Sequence, residues 1–164
     1  MVGSHPYRNL KPGGYIELQE FTLPLSDDGT LAPEHALFQS MKYLGEAAAK
    51  SGRAFIDLNT LGGLLEKAGF EDVQEHKFKW PSNTWPRDPK YKEIGAWNHE
   101  NIVAGLQGFL MAALTRGLGW QAEEVNVLAA KAKEDMRDKS IHAYWPMIVV
   151  TARKPVPKET AAEK

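Results

Sequence analysis

A Pro-Gly-Gly turn followed by a strand-forming segment places the first firm constraint on how this chain can fold. Pro12 fixes its own φ angle, and Gly13 and Gly14 tolerate positive φ angles, so the chain can reverse direction there. Residues 15–21 then alternate side chains between two faces, with Ile16 and Leu18 on one of them. The sequence therefore predicts a tight turn that leads into a β-strand.

Four later segments have the spacing of apolar residues that is typical of amphipathic helices. They cover residues 34–51, 58–68, 91–117 and 122–139. The third segment has a broad apolar face, so we expect it to be largely buried. The glycines of residues 117–120 interrupt the pattern and are interpreted as a helix stop.

Two further strands are predicted, at residues 73–80 and 142–153. The last one contains Ile148, Val149 and Val150 in succession, which suits a strand covered on both faces. No linker is long enough to divide residues 1–155, so we expect a single domain there. The polar residues 156–164 are expected to form a disordered tail.

Composition and charge argue against several classes of partner. The 164 residues have a net charge of −1, so nothing favours binding to nucleic acid or to an anionic membrane. No apolar run approaches the roughly 20 residues that a membrane span needs. The absence of cysteine excludes disulfides, thiolate metal sites and a cysteine nucleophile. We expect a cytoplasmic protein.

A set of motifs in a fixed order resembles one family. The motifs are Leu-Lys-Pro-Gly-Gly at residues 10–14, Gly-Ala-Trp-Asn-His-Glu-Asn at 95–101, Thr-Arg-Gly-Leu-Gly-Trp at 115–120, Glu-Glu-Val at 123–125, Ile-His-Ala-Tyr at 141–144 and Arg-Lys-Pro at 153–155. Together they resemble the C-terminal half of fungal LaeA-like methyltransferases of secondary metabolism, which are class I enzymes dependent on S-adenosylmethionine. The resemblance covers residues 8–155.

The resemblance implies an α/β protein with an incomplete Rossmann-like methyltransferase fold. In that fold the last strand inserts antiparallel between the two strands before it. We therefore expect a small mixed sheet of about three strands, with residues 142–153 in the middle and helices covering it. The helices at 34–51 and 91–117 would form a lid. The strand at 15–21 lies past the middle of the full fold, so we expect the first half of the enzyme to be missing.

The same resemblance locates a pocket for a small-molecule substrate. Ligands of open α/β sheets bind outside the carboxyl ends of the parallel strands. The residues expected to bind substrate at that edge, or on the helix above it, are Gln19, Glu20, Phe21, Trp80, Trp85, Trp97, Asn98 and Asn101. For the three tryptophans, packing in the core is the alternative interpretation.

Three residues are candidates for proton transfer in this pocket. His142 and Tyr144 begin the last strand and could donate protons to a substrate carbonyl. Alternatively, Tyr144 packs its ring under the helices while His142 stays half exposed. His99 could act as a general acid or base, because histidine titrates near neutral pH. Alternatively, His99 is a helix residue that makes a local hydrogen bond.

The sequence lacks the motifs that form the binding site for a methyl donor in this class of enzyme. Such enzymes hold the donor with a glycine-rich turn after the first strand and an acidic residue after the second. Gly117 and Gly119 instead follow a helix, and Gly13 and Gly14 precede a strand. We therefore expect no cofactor. The histidines have no metal-ligand spacing, so we expect no metal either.

Three functional hypotheses remain open. The first is a shortened methyltransferase-like enzyme that isomerises or cyclises an apolar small molecule without S-adenosylmethionine. The second is the C-terminal portion of a genuine methyltransferase, and the third is a non-catalytic partner subunit of one. In each case the strand at residues 15–21 would have an open edge, which invites pairing with another chain. We expect a homodimer or a complementing subunit.

Overall fold

The computed structural model describes residues 4–157, and it describes side chains from Tyr7 onward. The elements in chain order are α1 (Ser4–Asn9), β1 (Tyr15–Phe21), α2 (Ala36–Lys50), a 3-10 turn (Leu58–Thr60), α3 (Leu61–Lys67), β2 (Glu71–Pro81), α4 (Pro89–Leu118), α5 (Ala122–Arg137) and β3 (Tyr144–Arg153). Every predicted helix and strand is present, and α1 was not predicted. Most of the tail predicted to be disordered, from Lys158 onward, lies outside the described residues. Within residues 4–157, no helix is both long enough and apolar enough to cross a membrane.

The three strands form one sheet in the order β1-β3-β2. On one side, the backbone of β3 pairs with β1, since Lys154 bonds to Gly14 and Pro146 bonds to Thr22. Because the residue numbers run in opposite directions along this pairing, β3 is antiparallel to β1.

The prediction of a small sheet of about three strands with the last strand antiparallel in the middle is confirmed. The sheet is antiparallel and not mixed, because β3 also runs opposite to β2, with Ala143 bonded to Ser82 and Arg153 paired with Glu71.

Some boundaries of the sheet differ from the prediction, since β2 covers Glu71–Pro81 and not residues 73–80. The last strand begins at Tyr144 and not at His142. The backbone N–H of His142 donates to the hydroxyl of Thr30 at 2.8 Å, which ties this residue to a loop before the strand begins. The neighbouring carbonyl of Ala143 accepts from the N–H of Ser82, just past the end of β2.

The chain divides into two compact units, and each is described by itself. The first comprises the chain up to Glu20, Asp57–Lys77 and the chain from Met147. The second comprises Phe21–Ile56 and Phe78–Pro146. The single domain over residues 1–155 stays a prediction.

The first unit buries α3 against the sheet. Its buried apolar side chains are Leu61, Leu65, Phe70, Ile148, Val150 and Ala152, with Ile16 and Leu18 of β1 partly buried beside them. The predicted turn before β1 is present, since Gly13 has a φ angle of 78° and the N–H of Gly14 donates to the carbonyl of Lys11 at 2.9 Å. The alternation in β1 therefore does place one face against a core.

The second unit is built on α2, α4 and α5. The most deeply buried apolar residues, each at most 2% exposed, include Leu37, Leu106, Leu110, Leu114, Val125, Ala129, Ala132 and Met136. The carboxylate of Asp135 accepts the N–H of Leu37 at 2.8 Å, which satisfies a free donor at the start of α2. Gly119 ends α4 with a φ angle of 76°, so the interpretation of this segment as a helix stop is confirmed.

Candidate functional site

A cleft in the second unit brings together four of the residues expected to bind substrate. It has a volume of about 350 Å³ and is lined by Trp80, Ile94, Trp97, Asn98 and Asn101. Trp80 lies near the end of β2, and the other four share one face of α4, because residues three and four apart on a helix are neighbours. We call these five residues the aromatic cleft. Ile94 was not predicted from the sequence.

Asn98 fixes α4 against the end of β2. Its side chain is only 6% exposed, and its amide donates to the carbonyl of Pro81 at 2.9 Å and to that of Trp80 at 3.3 Å. A buried amide is stable only when it is hydrogen-bonded in this way. Asn98 therefore positions one wall of the aromatic cleft.

Gly95 lets the segment that follows β2 approach α4 closely. A Cβ atom at this position would lie 2.0 Å from the carbonyl oxygen of Asn83, which is far inside van der Waals contact. No other residue fits here without a shift of the backbone. The side-chain amide of Asn83 in turn donates to the carbonyls of Met136 and Asp138, at 2.9 and 3.0 Å, so the segment is also tied to the end of α5.

In the aromatic cleft, two large apolar side chains are exposed to solvent. Trp97 is 72% exposed and Trp80 is 37% exposed. Neither indole makes a hydrogen bond or a ring contact with another residue in the described part of the chain. Asn101 is exposed at the rim, where its amide could orient a bound molecule. Tryptophan packed as core would be buried, so core packing does not explain these two residues.

A second group of side chains surrounds the start of β3. The ring Nδ1 of His142 lies 2.5 Å from the carboxylate of Asp28, and the imidazole stacks on Trp85 with ring centroids 4.8 Å apart. The hydroxyl of Thr30 also donates to Asp28, at 2.8 Å. These contacts hold the pKa of Asp28 well below its usual range, at about 2, with the bond to His142 as the largest cause.

Tyr144 belongs to the same group. Its hydroxyl donates to Asp27 at 2.6 Å, and the ammonium of Lys79 pairs with Asp27 and lies 4.5 Å from the centre of the Tyr144 ring. Burial raises the pKa of Tyr144, and its bond to Asp27 raises it further. The bond from Lys79 is the largest cause that lowers the pKa of Asp27. We call Asp27, Asp28, Lys79, His142 and Tyr144 the charged cluster.

The charged cluster is internally satisfied. Tyr144 is 7% exposed, and the side chain of His142 is 39% exposed. The burial of Tyr144 and the partial exposure of His142 agree with the packing alternative, but Tyr144 contacts Asp27 and Lys79, which are not helix residues. The cluster ties the loop before α2 to the start of β3, and a catalytic role for His142 and Tyr144 stays a prediction.

His99 lies on another face of α4. Its Nδ1 is 3.2 Å from the carbonyl of Ser82, which lies 17 positions earlier in the sequence and outside α4, so this is not the local hydrogen bond of the alternative interpretation. It borders a separate cleft of about 250 Å³, together with Thr84, Glu100 and Arg137 among others. The structure therefore does not bring His99 into the aromatic cleft.

The remaining predicted site residues also lie elsewhere. Gln19 and Glu20 are exposed on β1 in the first unit, where the amide of Gln19 donates to Glu17 at 2.6 Å. Phe21 is 55% exposed at the end of that strand. Trp85 donates its indole N–H to the carbonyl of Ala143 at 2.9 Å and so belongs with the charged cluster. None of the four lines the aromatic cleft, because three are on β1 and the fourth is bonded to the start of β3.

Sequence reasoning missed the acidic and basic members of the charged cluster. Asp27 and Asp28 lie between the predicted strand at 15–21 and the predicted helix at 34–51, Lys79 lies in the predicted strand at 73–80, and none of the three was named as a site residue. The sequence does contain one signal, since Asp-Asp-Gly-Thr is typical of a turn closed by its own side chains. The pairing with Lys79 spans 52 positions of sequence and could not be inferred locally.

The described residues do not fit a seat for S-adenosylmethionine. The N–H groups of Gly13 and Gly14 both donate to backbone carbonyls, and the N–H of Gly119 donates to the carbonyl of Leu114, so none is free to approach a ligand. Within residues 4–157, no strand is followed by a glycine-rich turn. The acidic residues Asp27 and Asp28 are held by their own partners. The glycine-rich turn that holds this cofactor is therefore missing from the described part of the chain.

Known proteins resemble the chain over most of its length. No protein-family model matches it. The methyltransferase pytC of Aspergillus terreus is 38% identical over 150 residues, which are 91% of this chain and 46% of that protein. The secondary metabolism regulator LAE1 of Cochliobolus heterostrophus is 36% identical over 91% of this chain and 50% of its own. The protein-methionine methyltransferase laeA of Chaetomium globosum is 33% identical over 84% and 44%.

The chain thus spans about half the length of the curated relatives it matches. Among solved structures, the phosphoethanolamine N-methyltransferase 2 of Haemonchus contortus, in complex with S-adenosyl-L-methionine, is 19% identical with a TM-score of 0.44, over 94% of this chain and 29% of that one. Over the matched residues, the curated relatives connect this chain with methyltransferases. More specifically, the chain is a relative of the LaeA-like methyltransferases of fungal secondary metabolism, as its motifs predicted.

Proposed function

We propose that this chain is the substrate-binding part of a methyltransferase of fungal secondary metabolism, and that the aromatic cleft holds an apolar small molecule. The observation that carries the proposal is the pair of exposed indoles, Trp80 and Trp97, on a cleft of about 350 Å³. Small-molecule sites are concave, mostly apolar and roughly 300–1,000 Å³ in volume, with a few polar groups that fix orientation. Asn101 supplies such a group at the rim.

The shape of the cleft favours a flat, aromatic or polycyclic molecule. Two indole rings and the Ile94 side chain form apolar walls, and aromatic pairs gain about 0.5–1.5 kcal/mol beyond the burial of their area. The wall on α4 is fixed by Asn98 and Gly95, so little ordering is needed on binding. Under this proposal the methyl donor binds to polypeptide other than residues 4–157.

Calorimetry with 2-naphthol, a neutral aromatic probe, tests the aromatic cleft. We expect binding that weakens about tenfold or more in Trp97→Ala, because most of one apolar wall is removed. The matched control is Phe109→Ala, since Phe109 is also an exposed aromatic residue of α4, at 66%, but lies outside the cleft. Equal effects of the two substitutions would contradict the proposal.

A second candidate function is catalysis without a methyl donor, as an isomerase or cyclase. It is favoured by the lack of any free glycine-rich turn among the described residues. The raised pKa of Tyr144 keeps its hydroxyl protonated, and with His142 it could polarise a substrate carbonyl. His99 borders a separate cleft and would have to act on another part of the substrate. Asp27 would first have to release the Tyr144 hydroxyl.

Turnover separates the two candidates. If the chain alone converts an apolar substrate, and His142→Ala and Tyr144→Phe abolish the conversion, the second candidate is correct. If methyl transfer appears only when a polypeptide with a donor site is added, the first is correct. Tight stoichiometric binding of S-adenosylmethionine to this chain, measured by calorimetry, would contradict both.

The open edge of β1 supports a further part of the proposal, namely pairing with a second copy or a complementing subunit. β1 is the outer strand of the sheet, and Tyr15 and Phe21 on it are 66% and 55% exposed. Unpaired strand edges bind other chains unless they are protected. Light scattering at micromolar concentration is the test, and a monodisperse monomer that remains monomeric with methyltransferase subunits present would contradict it.

A further inference from the structure

A groove between α2 and α4 lies apart from the aromatic cleft and the charged cluster. It belongs to the second unit and has a volume of about 540 Å³. Its floor consists of small side chains, including Ala47, Ala48 and Ala112, and its rim carries Arg53 and Arg116. We call it the α2–α4 groove. It shares no lining residue with the cleft or the cluster.

The geometry of the two helices explains why the groove is open. A Cβ atom on Gly117 would lie 2.9 Å from the Cβ of Ala47, so the helices touch near the end of α4. A Cβ atom on Gly108 would meet nothing within 4 Å, which leaves empty space above that part of the floor. Phe109, which also lines the groove, is 66% exposed and adds an apolar wall in contact with water.

The charged side chains that line the groove are positive. Among the described residues that line it, Arg53 and Arg116 are the charged ones, and none is a carboxylate. Neither guanidinium has a hydrogen bond or an ion pair with another residue in the part of the chain that the structure describes. Both residues follow or occupy the last turn of a helix, where a cation compensates the helix dipole. The helix dipole explains why a positive charge is favourable at these positions. It does not explain why the planar guanidinium groups form no hydrogen bonds to other described residues.

We infer that the α2–α4 groove binds an apolar small molecule that carries one acidic group. The apolar part would lie on the small-residue floor against Phe109, where it would remove apolar surface from water. The carboxylate or phosphate would lie between Arg53 and Arg116, since guanidinium groups bind such anions through paired hydrogen bonds. The volume of the groove is in the usual range for a small-molecule site.

Calorimetry with decanoate and decanol tests the inference, because the two probes differ only in their head groups. We expect decanoate to bind at a ratio of one to one. The double variant Arg53→Gln, Arg116→Gln should bind it at least about tenfold more weakly, since hydrogen bonds to charged groups are lost. Decanol should bind weakly and equally to both proteins. Arg87→Gln, in the exposed loop before α4, is the matched control.

A second variant tests the body of the groove without the charges. Gly108→Leu fills the empty space above the floor, and leucine is a better helix former than glycine, so the protein should remain folded, as thermal unfolding can verify. We expect it to abolish decanoate binding. Trp97→Ala should leave that binding unchanged, which separates this site from the aromatic cleft.

Several results would overturn the inference. Decanoate binding that survives both the double variant and Gly108→Leu would place the probe elsewhere. Equal affinity for decanoate and decanol would remove the role of the arginines. If the same variants change the sedimentation of the protein and leave decanoate binding unaltered, the groove is a contact between copies of this chain.

Discussion

Residues of the aromatic cleft and two residues of the charged cluster, His142 and Tyr144, were expected in one substrate pocket, but the two groups differ in how their side chains are bonded. In the charged cluster, Tyr144, Asp27 and Asp28 all use their hydrogen bonds on one another or on neighbours in the same unit. In the aromatic cleft, Trp97 stands 72% exposed with no partner in the described residues, and Asn101 is exposed at the rim.

The two groups differ in whether their side chains are free to contact a ligand. A polar side chain that is already paired must lose that bond before it can act on a ligand, which costs about 1–3 kcal/mol for a buried group. An exposed indole gains free energy directly when a ligand covers it. We therefore interpret the charged cluster as a set of contacts that holds the loop before α2 against the start of β3, and the aromatic cleft as a binding surface.

The largest effect should come from Gly95→Ala, which attacks the support of the aromatic cleft. The new methyl group would lie 2.0 Å from the carbonyl oxygen of Asn83, so α4 or the segment after β2 must move. We expect a loss of about 3 kcal/mol in the free energy of unfolding, at the upper end for overpacked sites. Urea denaturation measures the loss, and 2-naphthol binding should weaken with it.

Gly108→Ala is the matched control for this substitution. Gly108 lies on the same helix with open space around it, so alanine there should raise the free energy of unfolding by about 0.5–1 kcal/mol through helix propensity. If both substitutions stabilise the protein, the close approach at Gly95 does not exist and the cleft has no rigid support.

The second largest effect on stability should come from Asn98→Ala, and it should differ from that of Asn101→Ala on the same face of α4. Asn98→Ala leaves the carbonyls of Pro81 and Trp80 without their donor, and we expect a loss of about 2 kcal/mol in the free energy of unfolding. Asn101→Ala should change stability by less than about 0.5 kcal/mol, because surface substitutions usually do. It should weaken 2-naphthol binding instead. The opposite pattern in denaturation and calorimetry would exchange the two roles.

Much of the fold could be predicted from short stretches of sequence. The turn at Gly13, the helix stop at Gly119 and the apolar run of β3 each follow from the properties of a few neighbouring residues. The resemblance supplied the strand order. The short helix α1 was missed, because residues 4–9 have no apolar spacing long enough to indicate a helix.

The site was harder to predict, because its parts are distant in sequence. The resemblance named Trp80, Trp97, Asn98 and Asn101 for one pocket, and the structure brings these four together in one cleft, while their role in binding stays a prediction. The bonds that occupy His142 and Tyr144 come from Asp28 and Asp27, more than 110 positions away. No local pattern distinguishes a free histidine from one that is already paired.

A smaller effect is expected from Tyr144→Phe, and it bears directly on the comparison. The substitution removes the hydroxyl that donates to Asp27 but keeps the ring that lies beside Lys79. We expect a loss of about 1 kcal/mol in the free energy of unfolding, measured in urea. Binding of 2-naphthol should be unchanged. A hundredfold fall in turnover of any substrate, with stability intact, would return Tyr144 to the catalytic site.

The smallest effect concerns Asp28 and should appear only in acid. Its pKa is lowered from 3.8 to about 2 in the folded protein. A group whose folded pKa is depressed adds stability above its unfolded pKa, and this stability is lost as the pH falls through the folded value. The difference in unfolding free energy between the protein and Asp28→Asn should therefore shrink as the pH falls from about 4 to about 2, in urea titrations. A difference that is constant with pH would contradict the pairing.

The carboxyl titration of Asp28, followed by NMR, can then assign the cause. The bond to His142 is the largest cause of the lowered pKa and the hydroxyl of Thr30 is the next, so His142→Ala should raise the pKa of Asp28 more than Thr30→Val does. Both side chains of the His142–Asp28 pair are partly exposed, so a purely coulombic attraction would be screened by salt. Because hydrogen bonds dominate, the lowered pKa should persist at about 1 M salt. If it returned to the usual range there, the charged cluster would be a loose surface ion pair, and the loop would be free to expose Tyr144 to a ligand.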